Sequence, residues 1–278
     1  MKDDLLVLNF SSNDISQIVT DNLIGRISIS GVQRKISLVK SGDTFIPVDT
    51  AGEYILKPLD NNWDQLPENE KLCMDLASFF NLKVPENFLV RLAEGSIAYV
   101  VKRFDRNGLS KYPVEDFCQI LDLSNKSKYS GSYEKIIKAL EQYSSAPGLD
   151  KIMLFRSLIF NFLICNNDAH YKNYSLLNTG NGYRLSPFYD LVNTSLVLKN
   201  NNEEVALTMN GKRSNLRKED MLSFAEYAEI PSKVIAIEFE SIRSTRNKFI
   251  ECISNSFLSK KNKDKFVEFY LSRYDRLI

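Results

Sequence analysis

The chain has 278 residues, 44% of them apolar, including 13 Tyr and 17 Phe, enough to bury a full core in one large domain or two small ones. Its 36 basic and 35 acidic residues leave a formal charge of +1, so the basic footprint that nucleic acid demands is missing and direct DNA or RNA binding is not expected. No apolar run reaches the roughly 18–20 residues that cross a bilayer, the start Met1-Lys2-Asp3-Asp4 is unlike a secretory signal, and Cys73, Cys118, Cys165 and Cys252 stand far apart as free thiols suited to a reducing cytoplasm.

The first hundred residues read mainly as strands with one helix. Residues 25–40 alternate around Ser30-Gly31, with Ile27 and Ile29 before the turn and Ile36 and Leu38 after it, which predicts a hairpin. Residues 53–59 (EYILKPL) predict a further strand, with Ile55 and Lys57 on one face and Tyr54 and Leu56 on the other. Pro67-Glu68-Asn69 opens a helix that carries Leu72, Leu76 and Phe79, and strands follow at 84–92 and 96–104. Helical periodicity then takes over near 114–122, 132–143 and 151–164. A strand-and-loop stretch covers 174–190, and helices near 218–229, 232–257 and 262–275 complete the chain. Strands first and helices after predict an α+β protein with two lobes, 1–103 and 104–278. The join near 103–107 has no linker composition, so the lobes are expected to pack as one module around a cleft.

The segment most informative about chemistry is 166–173, NNDAHYKN. It sets Asp168 and Asn173 in the D-x-x-x-x-N spacing of a kinase catalytic loop, where the carboxylate accepts the proton of the attacking hydroxyl and the amide oxygen holds magnesium. His170, the single histidine, is within reach of a phosphate oxygen from that loop, and without paired cysteines it makes no zinc site. An Asn/Asp-rich loop after a helix is the plainer account of the same residues. Asp190, in SPFYDL, is a second hard-oxygen metal ligand or else a turn or N-cap residue. The glycine that follows such an Asp by two residues in protein kinases is replaced here by Val192. Lys57 stands mid-strand, where a phosphate-pairing lysine belongs, with Glu70 as its helix partner; a water-facing edge lysine and a first-turn Glu on the helix dipole are the alternatives. The turn at 28–33 offers backbone N–H groups to phosphates but matches neither glycine-rich signature. The order of these features, turn, strand lysine, helix, two strands, catalytic loop and late Asp, is that of a two-lobed kinase.

The blocks SISGVQRK (28–35), ILKP (55–58), NEKLCMDLA (69–77), KRFDR (102–106), VEDFCQ (114–119), KY (128–129), NFLICNNDAHYKNYSLL (161–177), LSPFYDLV (185–192) and ALTMNGK (206–212) together resemble the HipA-like kinase family. The resemblance implies a protein-kinase-like fold, Mg-ATP as donor, and a toxin that phosphorylates an aminoacyl-tRNA synthetase of glutamyl or tryptophanyl type on serine. It implies that Asp168 is the proton acceptor and that Asn173 and Asp190 hold Mg2+. It further implies that Lys57 pairs with phosphate, that Ser30, Gly31, Val32, Gln33, Arg34 and Lys35 form the phosphate loop, and that the backbone of Lys102, Arg103 and Phe104 holds adenine. His170, Tyr171, Lys172 and Tyr189 match positions that line the nucleotide.

Ser28 matches the family's self-phosphorylated serine, and Ser30 adds a second, the Ser-Ile-Ser similar to short HipT-type toxins of three-component HipBST systems. Phosphate there would add about −1.5 to −2 charges beside the ATP phosphates, so self-inhibition is expected. Because Ser28 has 27 residues ahead of it, a HipS-like small protein is expected to supply an N-terminal subdomain and a HipB-like helix-turn-helix protein to make the DNA contact. A small-molecule kinase of related fold and a nucleotide-binding pseudokinase are the rival readings.

Overall fold

The computed structural model describes residues 5–15, 35–60, 63–108, 110–198 and 202–278. The expected phosphate turn, with Ser28, Ser30, Gly31, Val32, Gln33 and Arg34, lies outside the described residues, as does the first arm of the hairpin expected around it. The chain divides into two compact units, Met1–Lys71 with Pro85–Lys111, and Leu72–Val84 with Tyr112–Ile278.

The first unit is built on five antiparallel strands, β1 (Ile36–Ser41), β2 (Thr44–Pro47), β3 (Tyr54–Pro58), β4 (Asn87–Arg91) and β5 (Ile97–Lys102), in the spatial order β2-β1-β3-β5-β4. The second arm of the expected hairpin is therefore a strand, but it pairs forward with β2, an element the alternation did not announce. Its two-residue turn uses Gly42 at φ 58, a conformation that costs glycine nothing. Period-two alternation does the rest: Leu38, Tyr54, Leu56, Ala98 and Val100 all face one apolar cluster. Phe45, Tyr54 and Phe88 close that cluster with ring centroids 5.0–6.2 Å apart. Each fully buried side chain of this size contributes about 1.5–3 kcal/mol. Glu70 comes from the start of helix α1 (Leu66–Phe79), whose residues up to Lys71 belong to this unit; Pro67 and Glu68 sit in its first turn, where a missing N–H is harmless and negative charge is favoured. A two-residue hairpin, β6 (Arg106–Asn107) and β7 (Ser110–Lys111), completes the unit.

Residues 6–10 run beside β4. Leu8 N–H donates to Arg91 O (2.8 Å), Arg91 N–H to Leu6 O (2.9 Å) and Ala93 N–H to Phe10 O (3.0 Å). The stretch is pinned just beyond by Glu94, whose Oε1 accepts from the Ser12 N–H (3.1 Å), the Ser12 hydroxyl and the Ser96 hydroxyl (2.7 Å).

The second unit contains β8 (Val114–Asp116), α2 (Phe117–Ile120), α3 (Tyr133–Tyr143), α4 (Pro147–Leu163), β9 (Ser175–Asn178), β10 (Tyr183–Leu185), α5 (Lys218–Tyr227), α6 (Ser232–Asn255) and α7 (Lys260–Tyr274). The helix expected near 114–122 is in fact a three-residue strand and a single helical turn. Asp116 ends the strand by accepting from Gln119 N–H (3.0 Å), and Gln119 Oε1 returns the bond to Asp116 N–H (2.9 Å). α4 is buried on nearly every side, and its Phe160 joins Phe80, Phe249 and Tyr270 in an aromatic stack with centroids 5.3–6.2 Å apart. Near its start, buried Asp150 accepts from Arg184 (2.9 Å), the Leu185 N–H (2.9 Å) and Ser144 (2.6 Å), which fixes β10 to the helix. Among the described residues no helix is long and apolar enough to cross a membrane.

The Glu94 tether carries a pH signature. Burial acts to raise its carboxyl, but the Ser12 and Ser96 bonds outweigh that and hold it at about 2, against an ordinary 4.5. A depressed acid stabilises the folded state above its ordinary pKa, so the tether is fully present above pH 4.5 and is lost as pH falls through about 2. The side-chain carboxyl of Glu94, followed by NMR, should titrate near 2, and Glu94→Gln should speed proteolysis of residues 5–15 at neutral pH; titration near 4.5 would contradict the tether.

Candidate active site

The polar loop that follows α4 is folded into the interior. Every residue from 157 to 171 is buried except Asp168, which is exposed. Burying so many amides demands partners for them. The Asn166 N–H donates to Asn161 O (2.8 Å), and its side chain donates to Asn161 Oδ1 (2.9 Å). The Asn167 N–H donates to Thr194 Oγ1 (3.0 Å), and the Thr194 hydroxyl bonds both Cys165 O (2.8 Å) and Asn167 Oδ1. Cys165 turns the chain at φ 56. Asn166 Oδ1 then takes the Asp168 N–H (3.2 Å), and Asp168 O takes the His170 N–H (2.8 Å), so the carboxylate is carried outward on a fixed backbone.

Tyr171–Asn173 form one 3-10 turn, with Asn173 Oδ1 accepting from the His170 N–H (3.2 Å). His170 is buried, and its Nδ1 has no hydrogen-bond partner among the described residues. Burial holds the imidazole below its ordinary value; Asp168 and Asp190 act against this, and Lys128 acts with it. Asp190 is half-buried at φ 55, a left-handed position that Asp tolerates better than most residues. It begins no helix: the turn at Thr194–Leu196 is capped by Asn193, whose Oδ1 accepts the Leu196 N–H (3.2 Å). The N-cap account of Asp190 therefore fails.

Other side chains expected at the site turn inward. The Tyr171 hydroxyl accepts from the Ser132 N–H (2.8 Å) and donates to Ser132 O (3.0 Å). The Lys172 ammonium donates to Asn125 Oδ1 (3.0 Å) and lies 3.9 Å from Asp116. The Tyr189 hydroxyl donates to Lys172 O (2.9 Å) and shares a 2.5 Å bond with Ser175. These three brace the loop with their polar tips. One contact was not foreseen, although Tyr129 belongs to the KY block of the resemblance: its hydroxyl donates to Asp168 Oδ1 from 39 residues away, and its ring meets the His170 ring edge-on at 4.9 Å.

In the first unit, Lys57 lies on the middle strand of its sheet and is 4% exposed, so the water-facing edge account does not apply. Its Nζ donates to Glu70 Oε1 at 2.6 Å and lies 5.7 Å from the Tyr99 ring centroid. Glu70, too, is buried, not a solvent-facing first-turn residue. Lys35 leads into β1 and is half-buried. Lys102 ends β5 exposed, 3.8 Å from Glu86. The Arg103 N–H donates to Glu53 O (2.7 Å), and its guanidinium forks onto Asp105 (2.9 and 2.7 Å), while Phe104 is half-buried in the turn that follows.

Residues 27–276 match the family model of the HipA-like C-terminal domain. An inferred kinase of Haemophilus influenzae is 28% identical over 277 residues, which cover 89% of this chain and 80% of that protein. The serine/threonine-protein kinase toxin HipA of Shewanella oneidensis is 28% identical over 193 residues, 62% of this chain but only 44% of the toxin. The solved complex of HipA from Shewanella oneidensis MR-1 with HipB and its operator DNA contains a chain that superposes with a TM-score of 0.77 at 21% identity, covering 94% of this chain and 70% of that one. At that identity the superposition speaks for the fold, and the expected α+β kinase-like class holds.

The Lys57–Glu70 pair gives a stability test. Removing one partner of a buried pair leaves a charge in the interior at a cost of about 3–5 kcal/mol. In urea unfolding, Lys57→Met should lose stability on that scale, and Lys57→Met/Glu70→Leu should recover most of it. Equal losses in the single and double variants would show that the pair is not the source.

Proposed function

The chain belongs to the family of HipA-like C-terminal domains, and on that premise we propose that it is an ATP-dependent serine/threonine protein kinase acting as the toxin of a toxin–antitoxin system. The observation that carries the reading is Asp168, a carboxylate exposed at the crest of a loop whose neighbouring residues are buried and whose asparagines are hydrogen-bonded. A side chain held out in this way suits a general base that takes the proton from an acceptor serine.

The remaining roles follow from chemistry. Lys57, steadied by Glu70, donates to phosphate oxygens of ATP, and the buried Nδ1 of His170 is an orphan atom that a nucleotide would satisfy. The backbone of Lys102–Phe104 serves adenine, and Lys35 with the residues before it serves the phosphates. Asn173 and Asp190 offer hard oxygens, and among the described residues no cluster of three His, Cys, Asp or Glu side chains forms a closed metal cage. That donor set fits magnesium, which keeps waters and relies on few protein ligands. The chemistry such an ion supplies when bound is neutralisation of charge on the phosphates.

On this reading the acceptor is a serine of an aminoacyl-tRNA synthetase of glutamyl or tryptophanyl type, and Ser28 and Ser30 are self-phosphorylated. A HipB-like DNA-binding protein is the proposed partner, by analogy with the Shewanella complex. The charge of +1 supports leaving DNA contact to that partner. A HipS-like small protein is the second proposed partner.

The test is transfer of labelled phosphate from Mg-ATP to purified synthetases, with mass spectrometry of residues 28 and 30. Asp168→Asn should bind ATP as the wild type does and lose about 10²–10⁴-fold in transfer. ATP binding without transfer to any protein, in dephosphorylated wild type, would favour a small-molecule kinase or a pseudokinase instead.

A further inference from the structure

The contact between Tyr129 and Asp168 lies within the second unit and rests on a backbone pinned from both sides. Gly131 O accepts from the Thr208 N–H (2.9 Å) and its hydroxyl (3.1 Å). Gly131 itself lies so close to Tyr171 that a Cβ there would fall 2.0 Å from the phenolic oxygen. Tyr129 O accepts from Arg213, and Lys128 O accepts the Tyr171 N–H (3.4 Å). The stretch 128–131 is thus anchored to the turn that follows Asp168 and to the 208–213 segment.

The Tyr129 side chain is held as firmly as its backbone. Its ring meets His170 at 73°, the Lys128 ammonium lies 4.9 Å from its centroid, and its hydroxyl donates to Oδ1 of Asp168. Asp168 is otherwise exposed, and an exposed carboxylate turns freely about its two side-chain torsions. A donor fixed on one oxygen removes that freedom and leaves the other oxygen to face an incoming hydroxyl. Burial and the bond to Asp168 push the phenol above its ordinary value, so it stays a donor throughout the neutral range.

We infer that Tyr129 is a positioning residue for phosphoryl transfer: it occupies Oδ1 of Asp168 so that Oδ2 alone is presented to the acceptor hydroxyl. The inference rests on the reading of Asp168 as proton acceptor. Tyr129 takes no proton and touches no phosphate; it acts through Asp168, by keeping the base in one orientation before the acceptor arrives.

Two measurements decide it. In crystals of the wild type, Asp168 should hold one orientation, and in Tyr129→Phe it should turn or occupy more than one. The same single orientation in both would overturn the inference whatever the turnover. In steady-state assays of ADP formation from Mg-ATP, Tyr129→Phe should lower kcat about tenfold, the effect of one hydrogen bond to a charged group, with KM for ATP and the thermal midpoint unchanged. In the Asp168→Asn background the same substitution should change kcat no further. A rise in KM with kcat intact, or an additive loss in the double variant, would mean a structural or binding role and would also overturn the inference. If Asp168 reorients as expected but neither protein turns over ATP, the kinase reading fails and the positioning contact stands.

Discussion

The loop after α4 obeys one constraint that organises its whole unit: polar groups taken out of water must be hydrogen-bonded. Asn161, Asn166, Asn167 and Thr194 answer it with side-chain amides and a hydroxyl, where a regular element would have used its backbone ladder. Such a network is costly to disturb in part, because each member left alone is a buried orphan. The consequence is rigidity at the point where the chain emerges, and Asp168 is what emerges. The second half of the network, from Thr194 back to Cys165, ties the segment beyond Asp190 to the same frame. The two acidic residues are thereby referred to one set of bonds.

The first unit meets the same constraint with charge in place of amides. Lys57 and Glu70 are both nearly inaccessible, and each makes the other's burial tolerable. A pair of this kind contributes little net stability compared with an apolar pair, yet it fixes where an ammonium group stands. Its presence on a middle strand, against the ring of Tyr99, is hard to explain by stability alone.

How much of this was legible follows from the range of each signal. Spacing within one loop is local, so Asp168 and Asn173 could be picked out from NNDAHYKN, and the alternation of EYILKPL placed Lys57 on a strand. Most helix bounds were legible for the same reason, since apolar periodicity in 133–143 or 232–255 is a property of the segment itself. Residues 114–122 misled because the capping box at Asp116 and Gln119 starts the helix only at Phe117 and the chain leaves it before Asp122, at φ 51, while the strand before it exists only through pairing with β9. β2 was missed because its four residues gain their regularity from β1. Tyr129 was marked only as part of the KY block of the resemblance, with no role attached; its meaning comes from a contact with a residue far along the chain.

The five-stranded sheet of the first unit also has something to say about self-association. A sheet edge offers unpaired N–H and C=O groups to any strand that drifts by, including another copy of the same chain. Here one edge, β4, has the outward N–H and C=O of its last residue, Arg91, taken by residues 6–10. The other, β2, is only four residues long and ends in Pro47, which has no N–H to give. One margin is occupied at its end and the other is blunted. Strand pairing between copies is hindered at the Arg91 end of β4 and along β2, and a chain lacking residues 6–10 would release the Arg91 groups to extend the β4 template.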